Sequence, residues 1–263
     1  MSSNEPKVSV IIPAYNAAGY IRQAVCSVID QTYPEPIEIL VVDDCSKDTT
    51  TQAVKDIAKD AAEGVCLREN RYLHYFRNEE NKGVAFTRNA GVGKARGEYV
   101  AFLDSDDWWD PEKLEKQMQV MEQNGEDICL CFTGRELMDA DGNSLQKRVP
   151  VPERVSFRDM LKTNYVTCSS VILKREIAAA YPMTDDKYCE DYICWMRILK
   201  DGGAAAGINE PLVKYRMVKG SKSNNKWKAA SNHYHSLRIL GIGTVRAFFC
   251  MISYAYHGVR KYS

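Results

Sequence analysis

The sequence predicts an α/β fold: a mostly parallel central sheet flanked by helices. Three observations carry that prediction. Short β-branched runs alternate with segments of helical apolar period through the first 110 residues, the pattern of strand–helix–strand units with right-handed crossovers. Two of those runs end in carboxylates, Asp43-Asp44 and Asp104-Ser105-Asp106-Asp107, and open α/β sheets bind ligands at the C-terminal ends of their strands. With 263 residues, 45% apolar and 27% charged, the chain has the length and composition of a large globular domain with a real core.

Taken in order, Val8 to Ile12 is a buried strand ended by Pro13. Tyr20, Ile21, Ala24, Val25, Val28 and Ile29 then share one face of a helix. Ile37 to Val42 is a second strand, and Ser46 or Asp48 can cap the helix that follows, with Ala53, Val54, Ile57 and Ala58 inward. Tyr72 to Phe76 predicts a third strand, Gly83 to Lys94 a helix, and Gly97 a reset before the strand Tyr99–Leu103. Asp110-Pro111 is a helix start, because Asp accepts from free first-turn amides and Pro suits the first turn. The second half is less regular. It predicts a strand from Glu126 to Phe132, a hairpin turn at Asp139-Ala-Asp-Gly142, a short helix Phe157–Lys162 opened by Ser156, and a strand Cys168–Leu173. Tyr192, Trp195, Met196 and Leu199 then mark a helix whose first turn holds Glu190-Asp191.

Net charge is zero but unevenly spread. Residues 211–263 hold ten Lys or Arg and no Asp or Glu, leaving a net of −10 on the first 210. A basic segment of that kind suits an anionic surface. It contains the loop Lys219–Lys228 and an aromatic, apolar stretch Ala247–Tyr256 with Arg238, Arg246 and Arg260-Lys261 at intervals. Such a segment can lie in a lipid headgroup layer or pack on the domain with its charges in water. The acidic remainder argues against a nucleic-acid partner. Nine scattered cysteines without Cys-x-x-Cys suit a reducing compartment and buried thiols, and no zinc site is evident. The N-terminus lacks the apolar core of a signal peptide, and no run approaches the ~18 apolar residues of a membrane span.

Two common phosphate fingerprints are missing, Gly-x-x-x-x-Gly-Lys-Ser/Thr and a Gly-x-Gly-x-x-Gly after the first strand. The strand ends carry Pro13-Ala-Tyr-Asn16 and Asp43-Asp44 instead, which suit a base and a ribose. Tyr15 can stack on a flat ring, and Asp44 can accept from a ring N–H or from ribose hydroxyls. Ordinary loop chemistry, a turn tyrosine and a helix-capping aspartate, explains each of them singly. Asp104 and Asp106, two apart, can converge on a hard divalent cation that also holds a phosphate, or form a solvated acidic turn. Glu190-Asp191 can cap its helix or present a general base to a pocket.

Together, Val8–Asn16, Val41–Asp48, Asn81-Lys-Gly-Val-Ala-Phe-Thr-Arg-Asn-Ala-Gly91, Phe102–Asp107 and Glu190-Asp-Tyr-Ile-Cys-Trp195 strongly resemble the family 2 glycosyltransferases of the GT-A fold. The resemblance covers roughly residues 7 to 217. It implies a GT-A domain over 1–217, with a nucleotide-sugar half at 7–110 and an acceptor half at 111–217. Residues 218–263 then form a basic, partly amphipathic helical tail. It implies that Pro13, Tyr15, Asn16 and Asp44 hold the base, that Gly83, Arg88 and Asn89 border the nucleotide, and that Asp104 faces the ribose with Ser105 beside it. Asp106 is the implied ligand of Mn2+ or Mg2+, and Asp191 the implied catalytic base of an inverting transfer. Thr167, Ser169, Ser170 and Glu190 are expected around the acceptor.

The expected partners are a nucleotide-diphosphate sugar, UDP-linked in the first instance, and a glycan or lipid-linked acceptor of bacterial surface polysaccharide. The expected place is the cytoplasm, on the inner face of the membrane. Asp107 and Asp110 are additional carboxylates, expected to shape the turn and cap the helix. A nucleotidyltransferase would want a Gly-rich basic loop after the first strand, where this chain has Pro-Ala-Tyr-Asn-Ala-Ala-Gly. A non-catalytic carbohydrate- or membrane-binding scaffold is the other alternative, and intact Asp104, Asp106 and Asp191 argue against it.

Overall fold

The computed structural model describes residues 5–62, 69–124, 127–184, 187–217 and 226–262. Its first half is the expected alternation. Strand β1 (Val8–Ala14) leads to helix α1 (Ile21–Ile29), β2 (Ile37–Asp43), α2 (Thr50–Ala62), β3 (Arg71–Arg77), α3 (Val84–Lys94) and β4 (Tyr99–Phe102). The four strands are parallel, in the order β3-β2-β1-β4. All seven residues of β1 and of β2 are buried, because helices cover both faces of the sheet. Alternation still sorts their side chains. Val10, Ile12, Ile39 and Val41 pack with Ile21, Val25, Leu114 and Met118 on one face, whereas Ile11, Leu40 and Phe102 pack with Ile193, Trp195 and Met196 on the other. Each such aliphatic side chain contributes roughly 1.5–3 kcal/mol by leaving water. Gly97 is required by close approach, since a Cβ there would stand 2.7 Å from the Ser9 backbone nitrogen.

The chain continues through β5 (Trp108–Trp109), α4 (Lys113–Gln123), β6 (Ile128–Met138), β7 (Ser144–Val149), β8 (Arg154–Val155), α5 (Phe157–Met160), β9 (Ile172–Lys174), α6 (Arg175–Ala180), α7 (Glu190–Asp201) and β10 (Ala204–Arg216). The sheet extends past β4 in the order β9-β6-β10-β5. Strand β9 is antiparallel to both β4 and β6, while β10 runs parallel to β6. The sheet is thus parallel where the strand-end motifs lie and mixed beyond them. The hairpin at Asp139–Gly142 stands where the sequence predicts it, and Ser156 opens the expected short helix, through a capping box with Asp159, though that helix ends at Met160 and not Lys162.

Three expectations shift. Cys168–Leu173 is not one strand: Cys168–Ser170 is a 3-10 turn, because the Ser170 N–H and hydroxyl both donate to the Thr167 carbonyl instead of a ladder. The helix expected from Asp110-Pro111 begins at Lys113, after a turn in which Asp110 accepts from the Glu112 and Lys113 amides. Strand β10 has no counterpart in the sequence reading. The proposed strand start at Glu126, Asp185-Asp186, and the basic loop from Lys219 through Asn225 lie outside the described residues.

Two helices close the chain, α8 (Lys226–Ile239) and α9 (Thr244–Tyr262). Leu237, Leu240, Ile242 and Ala247 join the core cluster that holds Trp195 and Phe102, so this pair packs on the domain. No described helix is long and apolar enough to cross a membrane.

Candidate active site

A cavity of about 690 Å³ opens where β1, β2 and β4 end and the N-terminus of α7 faces them. Pro13 and Tyr15 enter it from the end of β1, and Tyr15 is 46% exposed at its rim. Asp44 follows β2 and is buried. Its Oδ1 accepts from Asn78 Nδ2 and the Lys82 amide, both at 2.9 Å, and its Oδ2 accepts from the Gly83 amide at 2.8 Å. Gly83 has φ of +87°, a conformation that favours glycine and turns that amide onto the carboxylate. With about four lone-pair positions on a carboxylate, Asp44 retains one for a ligand. Asp44 is therefore not the cap of α2.

Arg88 crosses the cavity wall. The guanidinium donates through Nη2 to Asp104 Oδ1 at 2.6 Å and through Nη1 to Glu190 Oε1 at 2.9 Å. One buried cation thus joins the strand-end carboxylate of β4 to the first turn of α7. Asp104, Ser105 and Asp106 line the cavity beside it. The loop that carries them is clamped from below. Asp107 accepts from the Ser169 hydroxyl at 2.6 Å and the Arg216 amide at 2.9 Å, the Asp106 carbonyl accepts from Arg216 Nε, and Trp109 Nε1 donates to the Ser169 carbonyl.

The charges press on one another. Burial, then the neighbouring charge of Asp104, pushes the Asp106 carboxyl up to about 6. Burial, with Asp106 and Asp104, pushes Asp107 up as well. Across the cavity, burial and then the charge of Glu190 push Asp191 up to about 7, with Arg88 opposing. Asp191 accepts the Tyr192 amide at 2.7 Å and remains half-buried on the cavity wall.

A cation fits this set. Among the described residues, no three His, Cys, Asp or Glu side chains are grouped to hold an ion by themselves. A divalent ion at Asp106, completed by donor phosphate oxygens, would relieve the repulsion and desolvation that raise its pKa.

The structure brings together Pro13, Tyr15, Asp44, Gly83, Arg88, Asp104, Ser105, Asp106, Thr167, Glu190 and Asp191. Four expected residues stand apart. Asn16 has φ of +51° and shapes the loop: its Oδ1 accepts the Lys47 amide and its N–H donates to Ser46. Asn89 pairs both ways with the backbone of Met183, which turns its amide onto that segment and off the cavity lining. Ser169 is fully buried and holds Asp107 and the Asp104 amide, so it supports the carboxylate loop and does not line the cavity. Ser170 is fully buried and turned onto Thr167.

Sequence reasoning missed Arg216, which reaches the cavity from the unassigned strand β10, and the aromatic wall formed with the C-terminal helices. There His233 stacks on Tyr254 with centroids 4.2 Å apart and lies 4.8 Å from the Tyr192 ring. Burial lowers His233 to about 4, so it is neutral at pH 7. The absence of acidic residues drew attention to this segment's charge and away from its inward face.

Comparison with known proteins follows the same lines. The model described as "Glycosyl transferase family 2" matches residues 9–181. The chain is 39% identical over 262 residues to the "Putative teichuronic acid biosynthesis glycosyltransferase TuaG" of Bacillus subtilis, covering 99% of each. It is 31% identical over 260 residues to the "UDP-Glc:alpha-D-GlcNAc-diphosphoundecaprenol beta-1,3-glucosyltransferase WfgD" of Escherichia coli, covering 97% of this chain and 95% of that one. Among solved structures, S. aureus TarS 1–349 in complex with UDP-GlcNAc superposes with a TM-score of 0.69 at 21% identity, over 90% of this chain and 66% of that one. Mannosyltransferase PcManGT from Pyrobaculum calidifontis, in complex with GDP-Man and Mn2+, gives 0.66 at 18% identity, over 95% of this chain and 69% of that one. At such identities the two structures speak to the fold, which is the GT-A arrangement.

Proposed function

This chain belongs to glycosyl transferase family 2 and is a glycosyltransferase, and on that premise we propose that it moves a sugar from a UDP-sugar, with inversion, to a hydroxyl of a lipid-linked acceptor in bacterial surface-polysaccharide assembly. The observation that carries the chemistry is the pairing across one cavity of Asp104 and Asp106 with a carboxylate raised to about 7, Asp191. A general base works best with a pKa near the working pH.

Pro13, Tyr15 and Asp44 hold the nucleoside, with Tyr15 over the base and the open lone pair of Asp44 on a ring N–H. Asp104, oriented by Arg88, meets the ribose, and Asp106 holds Mn2+ or Mg2+. When bound there, the ion supplies Lewis-acid stabilisation to the departing diphosphate. Asp191 accepts the proton of the acceptor hydroxyl as its oxygen attacks the anomeric carbon from the side opposite the diphosphate. The bond to the diphosphate breaks, and configuration inverts. Glu190 keeps Arg88 placed and, by its charge, keeps Asp191 basic. The UDP-sugar and the diphospholipid acceptor draw support from the names of the relatives, WfgD above all. A lipid-linked acceptor would place the work at the inner face of the membrane.

The test is acceptor-dependent release of nucleoside diphosphate from a panel of sugar nucleotides, with Mn2+ or Mg2+ and a synthetic GlcNAc-diphospholipid. Release with one donor and a product of inverted anomeric configuration by NMR is expected. No release from any donor, together with no nucleotide binding by calorimetry, contradicts the proposal.

A further inference from the structure

Helix α9 carries four large apolar side chains that are mostly open to solvent: Val245 at 74% exposure, Phe248 at 61%, Phe249 at 64% and Ile252 at 54%. Their i, i+3, i+4, i+7 spacing puts them within an arc of about 100° on one side of the helix. The opposite side is occupied. Ala247 is fully buried, Cys250 and Met251 pack on the core, and Tyr254 stacks on His233 and lines the cavity. The helix is therefore apolar on two faces, and the domain covers one. A contiguous bare apolar face marks an interaction surface.

Charge identifies what covers it. The last 53 residues hold ten Lys or Arg and no acidic side chain, against a net of −10 on the rest. Arg246 is exposed on α9 itself, and Arg238 is exposed near the end of α8, beside the exposed Ile239. A second copy packed on this surface by a two-fold axis would bring Arg246 and Arg238 near their own counterparts, with no described acidic residue on either helix to offset them. Phosphates of an anionic bilayer complement it, while aromatic and aliphatic side chains enter the boundary between headgroups and acyl chains.

We propose that the outward face of α9 docks the protein on an anionic lipid surface through Val245, Phe248, Phe249 and Ile252, with Arg246 among the lipid phosphates. The placement gives the docking a use, which rests on the glycosyltransferase reading. Asn232, His233 and Tyr254 line the cavity from these same helices, so its aromatic wall lies about one helix diameter, ~10 Å, above the bilayer. A sugar carried on a diphospholipid reaches that height without leaving the membrane.

Vesicle flotation of the full chain tests this, with phosphatidylglycerol-containing vesicles beside vesicles of phosphatidylcholine alone. The protein is expected to float with the anionic vesicles, to be released by raised salt, and to remain below with the neutral ones. Phe248→Ser with Phe249→Ser is expected to lower partitioning by roughly tenfold for each ring removed from the boundary. Melting temperature and UDP binding of the double variant should stay at the parent's values, because both rings are largely exposed. Failure to float by protein that still binds UDP overturns the proposal, as does a double variant that floats like the parent. A dimer by light scattering that the double substitution abolishes, with no vesicle binding, also overturns it and makes the face a contact between copies. Flotation without any sugar transfer supports the docking and counts against the glycosyltransferase reading alone.

Discussion

Replacing Asp191 with Asn should make the protein more stable, and only at high pH. The folded pKa of Asp191 is about 7, against an ordinary value of 3.8, because burial and the Glu190 charge disfavour its anion. Folded and unfolded states then bind different numbers of protons between those values. A raised folded pKa contributes stability that is fully present below the unfolded pKa and lost as pH rises through the folded one. The loss is complete above pH 7, and three pKa units correspond to about 4 kcal/mol at most. Partial exposure of Asp191 to solvent brings the expected figure to roughly 2–4 kcal/mol. For a chain of this length 1 kcal/mol moves the melting temperature by about 2 °C, so Asp191→Asn should melt roughly 4–8 °C above wild type at pH 8. Near pH 4 the two should melt together within about 1 °C. Differential scanning fluorimetry from pH 4 to 8, without ligand, measures the difference. A pH-independent gap, or a variant less stable at pH 8, would mean that Asp191 is an ordinary carboxylate and would remove the reason for calling it a base.

The same ionisation should appear in turnover: kcat/KM rises with pH to a plateau above about 7, and a flat profile from pH 5 to 8 would count against Asp191. Arg88→Ala leaves Asp104 and Glu190 facing one another without their cation, and should lower stability by about 3–5 kcal/mol in urea titrations. Ser169→Ala removes the hydroxyl that holds Asp107, at a cost of about 1–3 kcal/mol, and should weaken UDP binding in calorimetry. An effect of that variant on acceptor KM alone would instead put Ser169 against the acceptor. Asp106→Asn should bind UDP equally with and without Mn2+, whereas the parent should gain affinity from the ion.

The strand-end wall of the cavity was legible because its residues follow recognisable strands. Strands β1, β2 and β4 announce themselves as β-branched runs, and whatever follows such a run, Pro13, Tyr15, Asp44, Asp104 or Asp106, arrives at the same edge of the sheet. The ion pairs of Arg88 were not legible: Asp104 lies 16 residues away and Glu190 102, and only the fold joins them. Ser169 and Ser170 were expected at the cavity and are not on it, because a polar pair ahead of Glu190-Asp191 looks the same in sequence whether it faces a pocket or a loop. Burial decides, and both are fully buried. Strand β10 escaped notice because Ala204-Ala-Ala-Gly207 lacks β-branched side chains. It is held by pairing with β6, not by its own propensity. Arg216 went unseen with it. The inward face of α9 was hidden for a different reason: the most apolar stripe of that helix, Val245, Phe248, Phe249 and Ile252, faces outward, while Ala247 and Tyr254 face in.

The central claim is that Asp191 takes the acceptor proton in a cavity whose other wall binds the nucleotide. Its most direct test sets donor binding beside transfer in Asp191→Asn. UDP should bind within about twofold of wild type, because no donor contact has been removed, while kcat falls on the order of a thousandfold. Transfer at a near wild-type rate, or loss of UDP binding in step with loss of transfer, would contradict it.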